Sequence, residues 1–288
     1  MRIKTISLYL TYAVTMFFLI AYLRFPGETA SRILGERINR ITPKLRVELS
    51  LVTPVIPLGF RTASPVITLF NQNRFSLDSA IVSPDILTLF SPTRKINFKA
   101  AALNGTVKGT LSTPTDTPLS PMTLLSEFSG LEIPKIHYSK GLIDLEALFK
   151  LSGSVEYTQD QPLGSARAQL HLTDLKLTIL TPLVQALGFS DFTFTHVDIT
   201  ATMDNDHFEI TSFSAPGDKL SITLTGTGTL ESPMEKSRLN LRGEIRPDPS
   251  HVANFASISS VEVLFQDSEN GGIPFTVSGT VENPIFKL

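Results

Sequence analysis

Cysteine is absent from the chain, which excludes disulfides and thiolate metal sites. Charge is scarce as well: Asp, Glu, Lys and Arg make up 18% of 288 residues, and 25 basic against 27 acidic side chains leave a formal net charge of −2. A chain so balanced carries no electrostatic footprint for nucleic acid. The common chemical motifs are missing too. There is no G-x-S-x-G elbow and no G-x-x-x-x-G-K-[ST] phosphate loop. Gly226-x-Gly228 lacks a third glycine and lies inside a strand pattern, away from the strand-to-helix turn a dinucleotide needs. Asp204-Asn205-Asp206-His207 lacks the glycine and distal Glu of a calcium loop and reads as a hairpin turn. The histidines (His137, His171, His196, His207, His251) fall singly in different segments without an H-x-x-x-H pair, so no metal centre follows from their spacing. The carboxylates are scattered over wet faces and turns, and no acid/base pair can be named. These absences predict a chain that is not an enzyme and binds no cofactor or metal.

What is present is alternation. From Lys219 to Glu231, Leu220, Ile222, Leu224, Gly226, Gly228 and Leu230 share one parity, and polar residues take the other. That is a strand with one dry and one wet face. Ser232-Pro233-Met234-Glu235 supplies a turn, after which Leu239, Leu241, Gly243 and Ile245 alternate with Arg238, Asn240, Arg242, Glu244 and Arg246. The pattern predicts an antiparallel hairpin whose glycines stand on the apolar side, where they mark bends or the close approach of another group.

At the N-terminus, Thr5–Leu23 carries no charge over 19 residues, roughly 28 Å as a helix and close to the hydrocarbon thickness of a bilayer. Leu8, Leu10, Val14, Phe17, Phe18, Leu19, Ile20 and Leu23 are the expected anchor residues, and Tyr9, Tyr12 and Tyr22 suit an interface. A cleaved signal peptide is the competing reading; the length of the run and the lack of an A-x-A site favour an uncleaved single-pass anchor over residues 1–24. Arg2 and Lys4 precede the span, whereas Arg24, Arg32, Arg37, Arg40 and Lys44 follow it, so the local charge count alone would keep the large domain inside the cell. Residues 25–44 then read as a juxtamembrane amphipathic helix with Ile33, Leu34, Ile38 and Ile41 in one stripe. It suits either a membrane surface or the end of a β domain.

Residues 45–288 read as one mainly β, antiparallel domain. Short strands are broken by Pro54, Pro57, Pro65, Pro84 and Pro92, and Phe75–Val82 alternates as one strand. Lys95–Leu111 alternates with a parity slip near Ala102 that predicts a β-bulge. Ser112–Pro121 is a long connection, and Leu124, Leu125 and Phe128 suggest a short helix over 122–128. Ile143–Tyr157, Arg167–Leu180, Asp191–Met203, His207–Phe213, Ser260–Phe265 and Ile273–Val281 are further strands, with parity slips at Thr173-Asp174 and near His196. Thr181-Pro182 caps a short helix over 182–187, and Ser250–Ser257 allows a helical turn.

With these elements placed, the chain resembles the type II secretion system protein N family and, more distantly, AsmA-like envelope proteins. The resemblance rests on the N-terminal span leading to Phe25-Pro26, on Pro57-Leu58-Gly59-Phe60, on Ser237-Arg238-Leu239-Asn240-Leu241, and on the ending Gly279-Thr280-Val281-Glu282-Asn283-Pro284-Ile285-Phe286-Lys287-Leu288. It implies an uncleaved inner-membrane anchor with the bulk of the chain in the periplasm, and a non-enzymatic accessory role in type II protein secretion. The implied partners are membrane lipid and other secretion-system envelope proteins. The AsmA-like side implies the alternative, a lipid-binding or lipid-transfer protein holding phospholipid in an apolar groove of an elongated, curved sheet. By their alternation Leu220, Ile222, Leu224, Leu239, Leu241, Ile245, Val261, Val263, Phe265, Phe275, Val277 and Val281 share one dry surface, which either lines such a groove or is sealed as a core by the sheet folding over on itself.

Overall fold

The computed structural model describes residues 2–41, 45–56, 58–69, 73–88, 90–114, 121–140, 143–159, 164–180, 190–231, 233, 236–248 and 272–287. Among them the chain is mainly β, and every strand pairing is antiparallel. Its contacts divide it into two compact units, Met1–Phe90 with Lys95–Ala102, and Ser91–Arg94 with Leu103–Leu288.

The first unit opens with two helices, α1 (Arg2–Leu23) and α2 (Gly27–Ile41). On α1, Leu8, Leu10, Phe17, Leu19, Ile20 and Leu23 are exposed. The side chains of Val14 and Phe18 lie outside the described set. The Thr15 hydroxyl donates to the Thr11 carbonyl at 2.8 Å, satisfying a polar group within the helix itself. Among the described residues no helix is long and apolar enough to cross a membrane.

Helix α2 packs on β1 (Leu45–Glu48) and β2 (Val52–Pro54) through its smallest residues. Ser31 and Gly35 are buried, and a Cβ at Gly27 would strike the Val52 carbonyl, so the helix backbone lies directly on the strands. The apolar stripe expected on this helix is corrected in one member, and the side chains of Ile38 and Ile41 lie outside the described set. Ile33 lies on the opposite side from Ser31 at 100° per residue and is 49% exposed, whereas Leu34 is half-buried.

The remaining strands of this unit form two groups. In one, β1 pairs β4 (Val66–Leu69), which pairs β5 (Asn73–Ser76); in the other, β2 pairs β3 (Phe60–Ala63), β3 pairs β6 (Ser79–Pro84), and β6 pairs β7 (Thr93–Ala102). The single strand expected over Phe75–Val82 is therefore broken. The Leu77 and Asp78 amides turn to the carbonyls of Pro65 and Ala101, at 3.0 and 2.8 Å, because β5 and β6 serve different sheets.

In the second unit the strands follow one another in space as they do in sequence. They are β8 (Gly105–Pro114), β9 (Met122–Lys140), β10 (Ile143–Gln159), β11 (Ser165–Ile179), β12 (Asp191–Asp204), β13 (His207–Pro216), β14 (Leu220–Thr229), β15 (Arg238–Pro247), β16 (Ile273–Thr280) and β17 (Pro284–Lys287). Two expectations are corrected here. Residues 122–128 belong to β9, not to a helix: Leu124 pairs with Leu111 on one side and with Tyr157 on the other. The parity slip near Ala102 is a turn rather than a bulge, with Leu103 and Asn104 at φ 50° and 59° between the end of β7 and the start of β8. The slip at Thr173-Asp174 is present, with Asp174 at φ 55°. The expected helices at 182–187 and 250–257 and the strand at 260–265 lie outside the described residues.

Candidate functional site

The opening hairpin of the sequence forms as β14 and β15, and its register sets the site. Ile222 faces Ile245, Leu224 faces Gly243, Gly226 faces Leu241 and Gly228 faces Leu239. On the far side of β15, Leu241 faces Val277 and Gly243 faces Phe275. On the far side of β14, Ile222 faces Ala215, Leu224 faces Phe213 and Gly228 faces Phe208. Because cross-strand partners point to the same side of a sheet, all of these residues share one face.

Continuing the register carries that face to the start of the unit. Ile199 faces Phe213 on β12–β13, Leu172 faces Val197 on β11–β12, Leu151 faces Leu172 on β10–β11, and Leu131 faces Leu151 on β9–β10. The apolar parity set is thus continuous from β8 to β17. With strands about 4.8 Å apart it extends roughly 43 Å across ten strands. Its densest part is a cluster of Phe192, Phe194, Val197 and Ala215, packed by Leu175, Phe213, Ile222 and their neighbours. Away from this cluster most of the face is only half-buried. Among the described residues, strand pairing within this unit joins only strands that neighbour one another.

Of the groove residues predicted from sequence, Leu220, Ile222, Leu224, Leu239, Leu241, Ile245, Phe275 and Val277 fall on this face. Val281 does not. It follows the end of β16 in a bend, is 45% exposed, and donates its amide to the Ser237 carbonyl at 2.9 Å. Val261, Val263 and Phe265 lie outside the described residues. Sequence reasoning missed the contributions of β8 to β13. Their signal was present as alternation, but parity slips on β9, β10 and β11 hid its continuity.

The glycines of this face do not leave empty notches. A Cβ at Gly228 would overlap the ring of Phe208, and one at Gly243 would lie 2.5 Å from Cζ of Phe275. Each ring lies across a neighbouring strand where a side chain is missing, which keeps the face smooth.

The opposite face is polar. The side chains of His171 and Asp198 meet at 2.5 Å, His196 stands 3.8 Å from the same carboxylate, and Lys150 reaches both Glu132 and Asp174, at 3.6 and 3.8 Å. The Asn104 amide, donating to Glu132 at 2.8 Å, holds that carboxyl below its ordinary range, helped by Lys150. The Ser190 and Thr178 hydroxyls do the same for Asp191, with Lys219. These pairs are exposed and contribute little stability each; their effect is to keep this face wet. Two clefts also take their linings largely from this polar parity set: one of 620 Å³ around Asp204, His207 and Arg238, and one of 430 Å³ beside His171 and Asp198. Neither is the apolar seat. Among the described residues no group of three or more His, Asp or Glu side chains is placed to hold a metal ion. No family model, no curated protein and no solved structure matches the chain.

Proposed function

We propose that this chain is a non-enzymatic envelope protein, anchored in the bacterial inner membrane by α1 with its β units in the periplasm. On this reading the second unit curls about its apolar face, which receives the acyl chains of phospholipid. The observation that carries the reading is the apolar face running from β8 to β17, most of it only half-buried away from the cluster of Phe192, Phe194, Val197 and Ala215. Burying each large side chain is worth roughly 1.5–3 kcal/mol, so a surface of this extent needs an apolar cover. The acyl chains of one leaflet reach about 15 Å, and a ten-residue strand spans about 33 Å, so a lipid tail fits within the length of the strands. For the anchor, the support is the uncharged run Thr5–Leu23, taken whole, and the exposed apolar side chains of α1.

A photoreactive side chain at Leu224, on this face and outside the buried cluster, tests the reading in native membranes. Phospholipid adducts are expected. Crosslinks confined to the chain itself, together with purified protein free of lipid, would refute it.

A second reading, an accessory of the type II secretion apparatus, is favoured by the closing G-T-x-x-x-P-x-F-x-L. Residues 279–287 of it build a tight hairpin in which Gly279 has φ 92° and the Asn283 amide donates to the Thr280 hydroxyl at 3.0 Å. It leaves β17 at the end of the strand order with Ile285 and Phe286 exposed, an edge suited to a protein partner. Recovery of secretion components with the intact chain, and their loss on substituting Phe286, is the outcome this reading expects.

A further inference from the structure

The first unit carries a second apolar surface that the sheet face does not absorb. Pro54 pairs with Phe60, Phe60 with Val82, and Pro84 with Ile96. The β2–β3 turn, the end of β6 and the segment that follows it therefore share one end of this unit's sheet. Apolar side chains stand out into solvent there: Ile56 is 78% exposed, Leu87 90% and Phe90 96%, with Leu58 and Ile86 beside them.

Leu87 is not loosely held. Residues Ile86–Thr88 form a 3₁₀ turn fixed from both sides. The Asp85 carboxylate accepts the Leu87 amide at 3.1 Å, and the Asp85 carbonyl accepts the Thr88 amide and hydroxyl at 3.0 and 2.9 Å. The Thr88 hydroxyl in turn accepts the Lys95 amide at 3.0 Å. A turn built this firmly to hold a leucine in solvent is explained by something that takes the leucine up.

The same end is where α1 arrives. Tyr22 lines a cleft of 270 Å³ with Thr53, Pro54, Val55, Ile56 and Arg61, and the rings of Phe25 and Phe60 lie 5.9 Å apart. Arg24, Arg61 and Lys95 are exposed around it, with Asp85 the acidic group at the turn. Single apolar side chains on tight turns, ringed by cations and set beside the end of an apolar helix, match the chemistry of a bilayer boundary. There, apolar groups sink about 5–10 Å and anionic head groups meet Arg and Lys.

We infer that this end of the first unit is a membrane-contacting rim, in which Ile56, Leu87 and Phe90 insert into the acyl boundary of an anionic phospholipid surface while Arg24, Arg61 and Lys95 meet the head groups. The inference rests on the reading of α1 as the anchor. It adds that the first unit is held down on the bilayer beside the anchor instead of hanging from it.

The chain has no tryptophan, so one introduced residue reports on one place. Full-length Phe17→Trp, Ile56→Trp, Phe90→Trp and Thr223→Trp variants are reconstituted in phosphatidylethanolamine–phosphatidylglycerol vesicles, with and without bromine on the upper acyl carbons. Ile56→Trp and Phe90→Trp are expected to shift to the blue and lose at least roughly half of their emission to bromine, as depth in the acyl boundary requires, while Thr223→Trp on β14 is unchanged. Quenching of Phe17→Trp without quenching at positions 56 and 90 would leave the anchor standing and overturn the rim, pointing to a protein partner for these turns. Absence of quenching at Phe17→Trp would remove the anchor and the rim together. Equal quenching at position 223 would show general adsorption and overturn the rim as well.

Discussion

Replacing Gly228 by alanine adds one methyl group to a face that looks roomy in sequence and is occupied in structure. The new Cβ overlaps Cζ and Cε1 of Phe208 and presses on the Arg238 carbonyl. Overpacking of this kind costs roughly 1–3 kcal/mol. Phe208→Ala alone removes a half-buried ring, and about half of the usual 3–5 kcal/mol for a buried Phe, near 2 kcal/mol, is the expected loss. If the ring is the main obstacle, the double variant loses less than the two single losses added together, by about 1 kcal/mol, since the pressure on the Arg238 carbonyl remains. Because the chain has two units, a global unfolding curve would blur this difference. Hydrogen exchange of the β13–β15 amides reads it locally, where 1 kcal/mol is about a five-fold change in protection. Additivity within about 0.5 kcal/mol would refute the claim that the ring fills the glycine position.

Two further outcomes follow from placements described above. Val277→Asp, at a position 7% exposed between Leu241 and Phe286, should expose β15–β17 amides to exchange, whereas Val281→Asp, 45% exposed in the outer bend, should change them far less; equal effects would refute this difference in burial. Asn104→Ala should raise the carboxyl pKa of Glu132 towards its ordinary value, read by carbon NMR of the side chain, and no movement would refute the assigned cause. Since the folded-state value is depressed, Glu132 contributes stability above the unfolded pKa and loses it as pH falls through the folded one, so in the variant this increment should shrink and β9 protection should fall less across that interval than in the parent chain.

Legibility from sequence followed how local the deciding interaction is. The β14–β15 hairpin needed only its own alternation and a proline-containing turn, and both strands form where the pattern places them. The strand over 122–128 was obscured because Leu124, Leu125 and Phe128 fit a helical spacing as well as an alternation through Leu124, Ser126 and Phe128, and pairing on both sides decides between them. Leu103 at positive φ defies the preference of its residue type, so the turn before Gly105 looked like a continuing strand with a bulge. What fills the glycine positions was beyond sequence reading altogether. Gly228 is covered by Phe208, 20 positions earlier, and only the β13–β14 register brings them together. For α2, a stripe of large residues drew attention, while Ser31, Gly35 and the backbone at Gly27 also lie against the strands, and their small size carries no hydropathy signal.

In the second unit each strand pairs with the one made just before it, which has a consequence for how the chain is delivered. A ribosome or a translocation pore releases residues in order, and in most β architectures early strands must wait, unpaired, for partners that have not yet emerged. Here β9 can close on β8 and β10 on β9 as soon as each clears the exit, with loop-closure costs set by short connections at nearly every step. Between successive steps only the newest edge is open to wrong partners. Among the described strands of this unit the longest interval, between β15 and β16, falls late, when eight of them are already in place to hold the growing edge.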